Sequence, residues 1–156
     1  MTQTPISTIL DTFMEEGIKL TPIGATLLGV PGLDDQLDDL SMAGNTKRSD
    51  LTRKTLAALN AEKHVNEYDR IARDVAVERL TSELNLSDTH EAHILFNLIS
   101  SPVKNIRQVF EMMPKESATY FENIAKRLLA VDKAHLSWIS TIDTLAKKGK
   151  ISINNS

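Results

Sequence analysis

The chain has 156 residues, with 18 Lys and Arg against 21 Asp and Glu, for a formal charge of −3. Apolar residues make up 41% and charged residues 25%, an ordinary globular balance that excludes collagen, low-complexity and acidic disordered chains. The absence of cysteine removes disulfides, thiolate metal sites and cysteine nucleophiles together.

One domain spanning 1–156 is the expectation for this length. Mild acidity disfavours a nucleic-acid partner, because affinity for phosphate backbones rests on clustered Lys and Arg. The N-terminus has no basic region, and Asp11, Glu15 and Glu16 interrupt its first apolar stretch, unlike a signal peptide. No apolar run approaches the ~20 residues of a membrane span. A cytoplasmic protein without a membrane partner is expected.

Helical signals dominate from the start. Thr4-Pro5 can cap and open a helix bearing Ile6, Ile9, Leu10, Phe13 and Met14, with Gly17 as its expected stop. Thr21-Pro22 repeats the start signal for a short helix ending near Gly29. Residues 30–46 carry Pro31-Gly32, Asp34, Asp35, Asp38, Asp39 and Gly44-Asn45, and read as a long, solvated loop. A helix follows from between Ser41 and Ser49 to about Lys63, with Leu51, Leu56 and Leu59 on its apolar side. Asn66 is a cap for the next, where Tyr68, Ile71, Ala72, Val75 and Leu80 recur until about Leu84. The run Ile94 to Ile99 also leans toward helix.

In the last third, Ser101-Pro102 opens a helix with Val103, Ile106, Val109, Phe110 and Met113, ended by Pro114. Phe110 and Met113 are expected in the core. Ser117 caps a helix with Tyr120, Phe121, Ile124, Leu128 and Leu129. A final helix from about Asp132 carries Leu136, Ile139, Ile142 and Leu145, and closes at Lys147-Lys148-Gly149. The expected fold is all-α, an irregular bundle of six or seven helices.

Chemical motifs are sparse. His90-Glu91-Ala92-His93 has its second histidine one residue too early for a zincin helix, and no third ligand is recognisable. Asp132-Lys133-Ala134-His135 is a single imperfect copy of a di-metal motif that needs two. The aspartates at 34–39 lack the ordered ligand positions of a calcium loop. No glycine-rich phosphate loop or Gly-x-Ser-x-Gly elbow is present. Lys47, Arg48, Arg53 and Lys54 read as a solvated helix end, with no aromatics between them. No catalytic residue, metal or cofactor is therefore expected.

Two stretches do carry a resemblance. The first runs from Leu20-Thr21-Pro22 through Thr26 and Gly29 to Leu33-Asp34-Asp35 and Ser41. The second runs from Ser101-Pro102 through Arg107, Phe110, Met113 and Pro114 to Asn123-Ile124 and Arg127-Leu128. Together they resemble the N-terminal part of a large bacterial family, domain of unknown function eight hundred and eighty-five. The resemblance covers about Phe13 to Gly149. It implies a mostly helical fold similar to gluzincin metallopeptidases, whose zinc-binding His-Glu-x-x-His helix lies further downstream. His90-Glu91-Ala92-His93 matches that motif neither in position nor in spacing, so no catalytic role carries over.

The resemblance thus implies a non-catalytic N-terminal helical domain that walls a substrate cleft, with Pro22, Thr26, Gly29, Asp35, Arg107, Phe110, Met113 and Pro114 as structural motif residues. The alternative is a free-standing helical interaction module. Arg107 is expected to be structural, with Asp69 as one carboxylate partner. A domain cut from a larger fold exposes an apolar face, so the expected partners are a downstream catalytic region or a second copy of the chain. Trp138, Ile139 and Ile142 of the last helix are the candidate interface.

Overall fold

The computed structural model describes residues 3–90 and 101–150. Among them are seven helices and no strand: α1 (Pro5–Leu20), α2 (Pro22–Leu27), α3 (Met42–Ala61), α4 (Glu67–Asp88), α5 (Pro102–Met112), α6 (Ala118–Leu129) and α7 (Val131–Lys147). The fold is all-α, an irregular bundle. The reading of Ile94 to Ile99 lies outside the described residues. None of the described helices is long and apolar enough to cross a membrane.

Most helix starts are fixed by local side-chain chemistry. Thr4 caps α1 in a capping box with Ser7. Ser41, Asn66 and Ser101 accept from the third N–H of α3, α4 and α5, satisfying donors that a helix start leaves unpaired. Ser117 precedes α6 without a side-chain cap bond. The last helix starts at Val131, one residue before Asp132, which lies in its first turn.

Gly17 does not stop α1. The helix runs on to Leu20, where Thr21 leaves helical geometry ahead of Pro22 and its hydroxyl donates to the Gly17 carbonyl at 2.9 Å. Likewise α4 continues past Leu84 to Asp88.

Two cores result. Ile6, Leu59 and Leu80 bring together α1, α3 and α4, with Leu10, Phe13, Leu56, Ala72, Ala76 and Val77 packed around them. Ile23, Ile106, Val109 and Ala134 bring together α2, α5 and α7, with Leu37, Leu40, Phe110 and Val131 against them. Asp69 ties the starts of α1 and α4: it accepts from the Thr4 hydroxyl at 2.5 Å and from the Val65 N–H at 3.2 Å.

Three helices face inward differently from their apolar pattern. On α4 the buried residues are Asp69 and Leu80, while Tyr68, Ile71 and Val75 are exposed. On α6 it is Arg127 that is buried, and Phe121, Leu128 and Leu129 point out. On α7 the buried set is Ala134, Trp138, Thr141 and Leu145, leaving Leu136 and Ile139 outside. In each case a polar group with a fixed partner, or a small residue allowing close approach, takes the inward position.

Leu59 is completely buried at the centre of the first core. Leu59→Ala should therefore cost about 2–5 kcal/mol, the range for truncating a core leucine. Urea denaturation would measure it, and a loss below about 1 kcal/mol would mean that α3 is not central to that core.

Candidate functional site

The segment between α2 and α3 is where the structure departs most from the expected solvated loop. It is a strap, fastened by four helices. At its start, Gly29 has a φ of 72°, the left-handed region open to glycine at little cost. The Gly29 N–H reaches the Thr26 carbonyl at 3.1 Å and the Val30 N–H the Ala25 carbonyl at 2.9 Å. This pair of bonds is a Schellman stop, which accounts for a glycine at this motif position.

Arg127 of α6 then reaches under the strap. Its side chain is fully buried. Nε donates to the Gln36 carbonyl at 2.8 Å, and Nη2 donates to the Leu33 carbonyl at 2.8 Å and to the Thr26 hydroxyl at 3.0 Å. The Thr26 hydroxyl in turn donates a hydrogen bond to Asp34 Oδ1 at 2.9 Å. Burial pulls the Arg127 guanidinium below its ordinary pKa, opposed by the charges of Asp34, Asp38 and Asp35. Those carboxylates compensate a cation that would otherwise be costly to bury. Nη1 is buried without a hydrogen-bond partner, so the carboxylates act on it only through their charge.

Asp38 supplies the cap that α2 lacks. Thr21 makes no side-chain cap bond to this helix. The Ile23 N–H donates instead to Asp38 Oδ1 at 2.9 Å. Burial pushes the Asp38 carboxyl above its ordinary 3.8, while the Ile23 N–H, Arg48 and Arg127 act the other way. Further along, Thr141 of α7 donates to the Leu40 carbonyl and Arg48 of α3 to the Asp39 carbonyl, each at 3.0 Å. Arg48 is half-buried in this role, not part of a solvated helix end. Gly44 lies so close beneath Asp39 that a β-carbon there would collide with its backbone and side chain.

The sequence-derived motif residues divide between these features. Pro22 and Thr26 are buried in α2, and Asp35 is half-buried in the strap. Met113 is buried and Pro114 half-buried after α5. Phe110 is only half-buried against the second core, because Ile106 and Val109 take the innermost positions. Arg107 is exposed and pairs with Glu111 at 3.1 Å, one turn along the same helix. Asp69 is not its partner, being already committed to Thr4 and Val65. Trp138 is buried inside the chain, which removes it from the outward face where an interface was expected; Ile139 is on that face and Ile142 is half-buried.

His64, His90 and His135, the described histidines, belong to no metal-holding group. His90 has a φ of 60° just beyond α4, in the left-handed region that residues other than glycine adopt uncommonly. Glu91 to His93 lie outside the described residues. Among the described residues no group of three His, Asp or Glu is placed to hold a metal ion.

Sequence comparison adds one decisive finding. Residues 22–155 match the bacterial family of proteins of unknown function DUF885. The chain belongs to the DUF885 family. No curated protein matches it. The DUF885 match begins at Pro22, where α2 starts, and takes in the whole strap and Arg127.

Sequence reasoning missed Arg127 as a central residue. The signal was present: Tyr120, Ile124 and Arg127 stand at i, i+4 and i+7, so the arginine lies in the inward stripe of α6.

Arg127→Met should cost about 3–5 kcal/mol, the usual penalty for removing one side of a buried charged network. Arg127→Lys should recover little of it, since an ammonium cannot reproduce the planar fork. Urea denaturation of both variants gives the comparison, and full recovery in the lysine variant would show that charge alone holds the strap.

The Asp38 proton is held more tightly in the folded than in the unfolded chain. Stability carried by this group should therefore fall as pH rises from about 3.8, its ordinary value, through the raised value. Asp38→Asn should flatten that part of the stability–pH profile while keeping an oxygen for the Ile23 N–H. An unchanged slope would place the titration elsewhere.

Proposed function

We propose that this chain is the non-catalytic amino-terminal helical domain of a metallopeptidase-like DUF885 protein, where it walls the substrate cleft of a downstream catalytic region. The observation that carries the reading is the outward placement of large apolar side chains on three helices. Tyr68, Ile71 and Val75 on α4, Phe121, Leu128 and Leu129 on α6, and Leu136 and Ile139 on α7 are all exposed. Surfaces of this kind mark faces made to be covered. A downstream region of the same polypeptide is a covering partner available at high effective concentration. The setting in this reading is cytoplasmic, in keeping with a chain free of cysteine.

A second reading is a free-standing interaction module that covers the face with another copy of itself. It is favoured by the succession of Leu128, Leu129, Leu136 and Ile139 on consecutive helices. A self-complementary patch of that kind closes most simply as a two-fold dimer.

The two readings separate by experiment. If a longer DUF885 protein is divided after the position matching Gly149, its two pieces should reassemble. Leu136→Lys with Ile139→Lys in the amino-terminal piece should weaken that association roughly tenfold or more, as expected when charges replace a desolvated apolar contact. The present chain alone should show no zinc-dependent hydrolysis of a peptide substrate. Pieces that never associate would sink the first reading, as would peptidase activity in the isolated chain. A dimer in sedimentation equilibrium, broken by the same two lysines, would establish the second.

A further inference from the structure

A cavity of about 200 Å³ opens where α1, α3 and α4 meet the end of α2. Phe13, Met14, Ile18, Leu20, Leu28 and Leu51 make its wall mainly apolar. It is smaller than the roughly 300–1,000 Å³ of drug-sized sites. It is larger than the ~150 Å³ apolar hole that accepts a benzene-sized molecule. The fitting occupant is therefore a small molecule with an apolar body of a few carbons.

The charges that line it narrow the choice. Only two lining residues are charged, Arg48 and Glu83, and they have opposite signs. Burial pulls the Arg48 guanidinium below its ordinary pKa, and the charges of Asp38, Asp39 and Glu83 oppose that shift. Arg48 and Glu83 nevertheless do not meet as an ion pair, and none of the described residues donates a hydrogen bond to the Glu83 carboxylate. Arg48 spends one N–H on the Asp39 carbonyl and one on Asn45 Oδ1. A guanidinium has five, so three are left for another acceptor.

A purely anionic ligand would meet Glu83, and a purely cationic one would meet Arg48. A neutral apolar molecule would strip water from both charges without replacing it. The head group that complements both is a zwitterion, with a carboxylate toward Arg48 and an ammonium toward Glu83. We propose that this cavity is a binding site for a free α-amino acid with an aliphatic side chain, the side chain lying among Phe13, Ile18 and Leu51 and the two charges of the amino acid at the Arg48 and Glu83 mouth. The site is separate from the outward faces of α6 and α7.

The test is a nuclear magnetic resonance titration of the full chain with three probes: L-leucine, leucinol, which lacks the carboxylate, and N-acetylleucine, which lacks the ammonium. Leucine should give saturable shifts at amides around Phe13, Leu51 and Glu83. Each analogue should bind at least roughly tenfold more weakly, since each loses one charge-assisted contact. Glu83 is exposed on α4, and an amide of the same shape should leave Glu83→Gln folded. In that variant leucine should lose its advantage over N-acetylleucine while keeping its advantage over leucinol. Absence of saturable leucine binding in the natural chain would overturn the assignment. So would equal binding of the three probes, or an unchanged preference in Glu83→Gln.

Discussion

The buried guanidinium of Arg127 is the constraint on which the arrangement of the chain depends. A charged side chain with no exposure to water must find acceptors nearby. Here they are two backbone carbonyls of the strap and a threonine of α2. Meeting that demand sets the path of the chain from Leu33 to Gln36. Once the path is set, Asp38 arrives at the open end of α2, Leu40 arrives against α7, and Asp39 arrives over Gly44 at the start of α3. The strap packs Leu37 and Leu40 against the second core and is tied to α3 of the first, so it connects the helices of both. Arg127, which lies 91 residues from Gln36 in sequence, makes this a long-range tie that cannot form until α6 has docked. Replacing it with an apolar side chain would leave three acceptors facing a dry interior, each with its own desolvation cost.

Helix starts were the most legible part of the fold, because capping is local. Thr4, Ser41, Asn66 and Ser101 each have a partner within three residues, so the sequence alone carries the information. Helix class and the short α2 could be read for the same reason. Inward faces were less legible. A pattern of large apolar residues identifies the buried stripe only when the core is made of such residues. On α4, α6 and α7 it is not. Asp69, Arg127 and Thr141 turn inward because each has a specific acceptor or donor on a distant element. Sequence spacing offers no view of those partners. The error on each helix is a rotation of its face, while its position in the chain holds.

The strap illustrates a different limit. Four aspartates in a short stretch, bounded by Pro31-Gly32 and Gly44-Asn45, have the composition of a solvated loop. Their positions are nevertheless not equivalent. Asp34 and Asp38 accept hydrogen bonds from α2, whereas the Asp39 side chain turns back on its own backbone at Ser41. Acidity in this segment is in part the counterpart of two arginines, Arg48 of α3 and Arg127 of α6, whose charges act on the aspartates. Reading charge as solvation fails when the opposite charge arrives from elsewhere in the chain. The missed arginine and the misread aspartates are one interaction seen from its two ends.

Arg48 extends this network beyond the strap. One side of its guanidinium holds the Asp39 carbonyl, and its side chain also lines the cavity between α1, α3 and α4. A ligand carboxylate at the unused N–H groups would strengthen the positive charge requirement at a position already polarised by Asp38 and Asp39. Chains of charged hydrogen bonds of this kind reinforce one another in a partly dry setting. Occupation of the proposed cavity site and tightness of the strap would then be linked through one side chain. By reciprocity, if occupation of the cavity tightens the strap, a tightened strap favours occupation by the same coupling free energy. A face that docks on α6 would bear on Arg127, and through the strap on Arg48. Between α6 and the cavity lie the Arg127–Gln36 bond, the strap backbone from Gln36 to Asp39 and the Asp39–Arg48 bond.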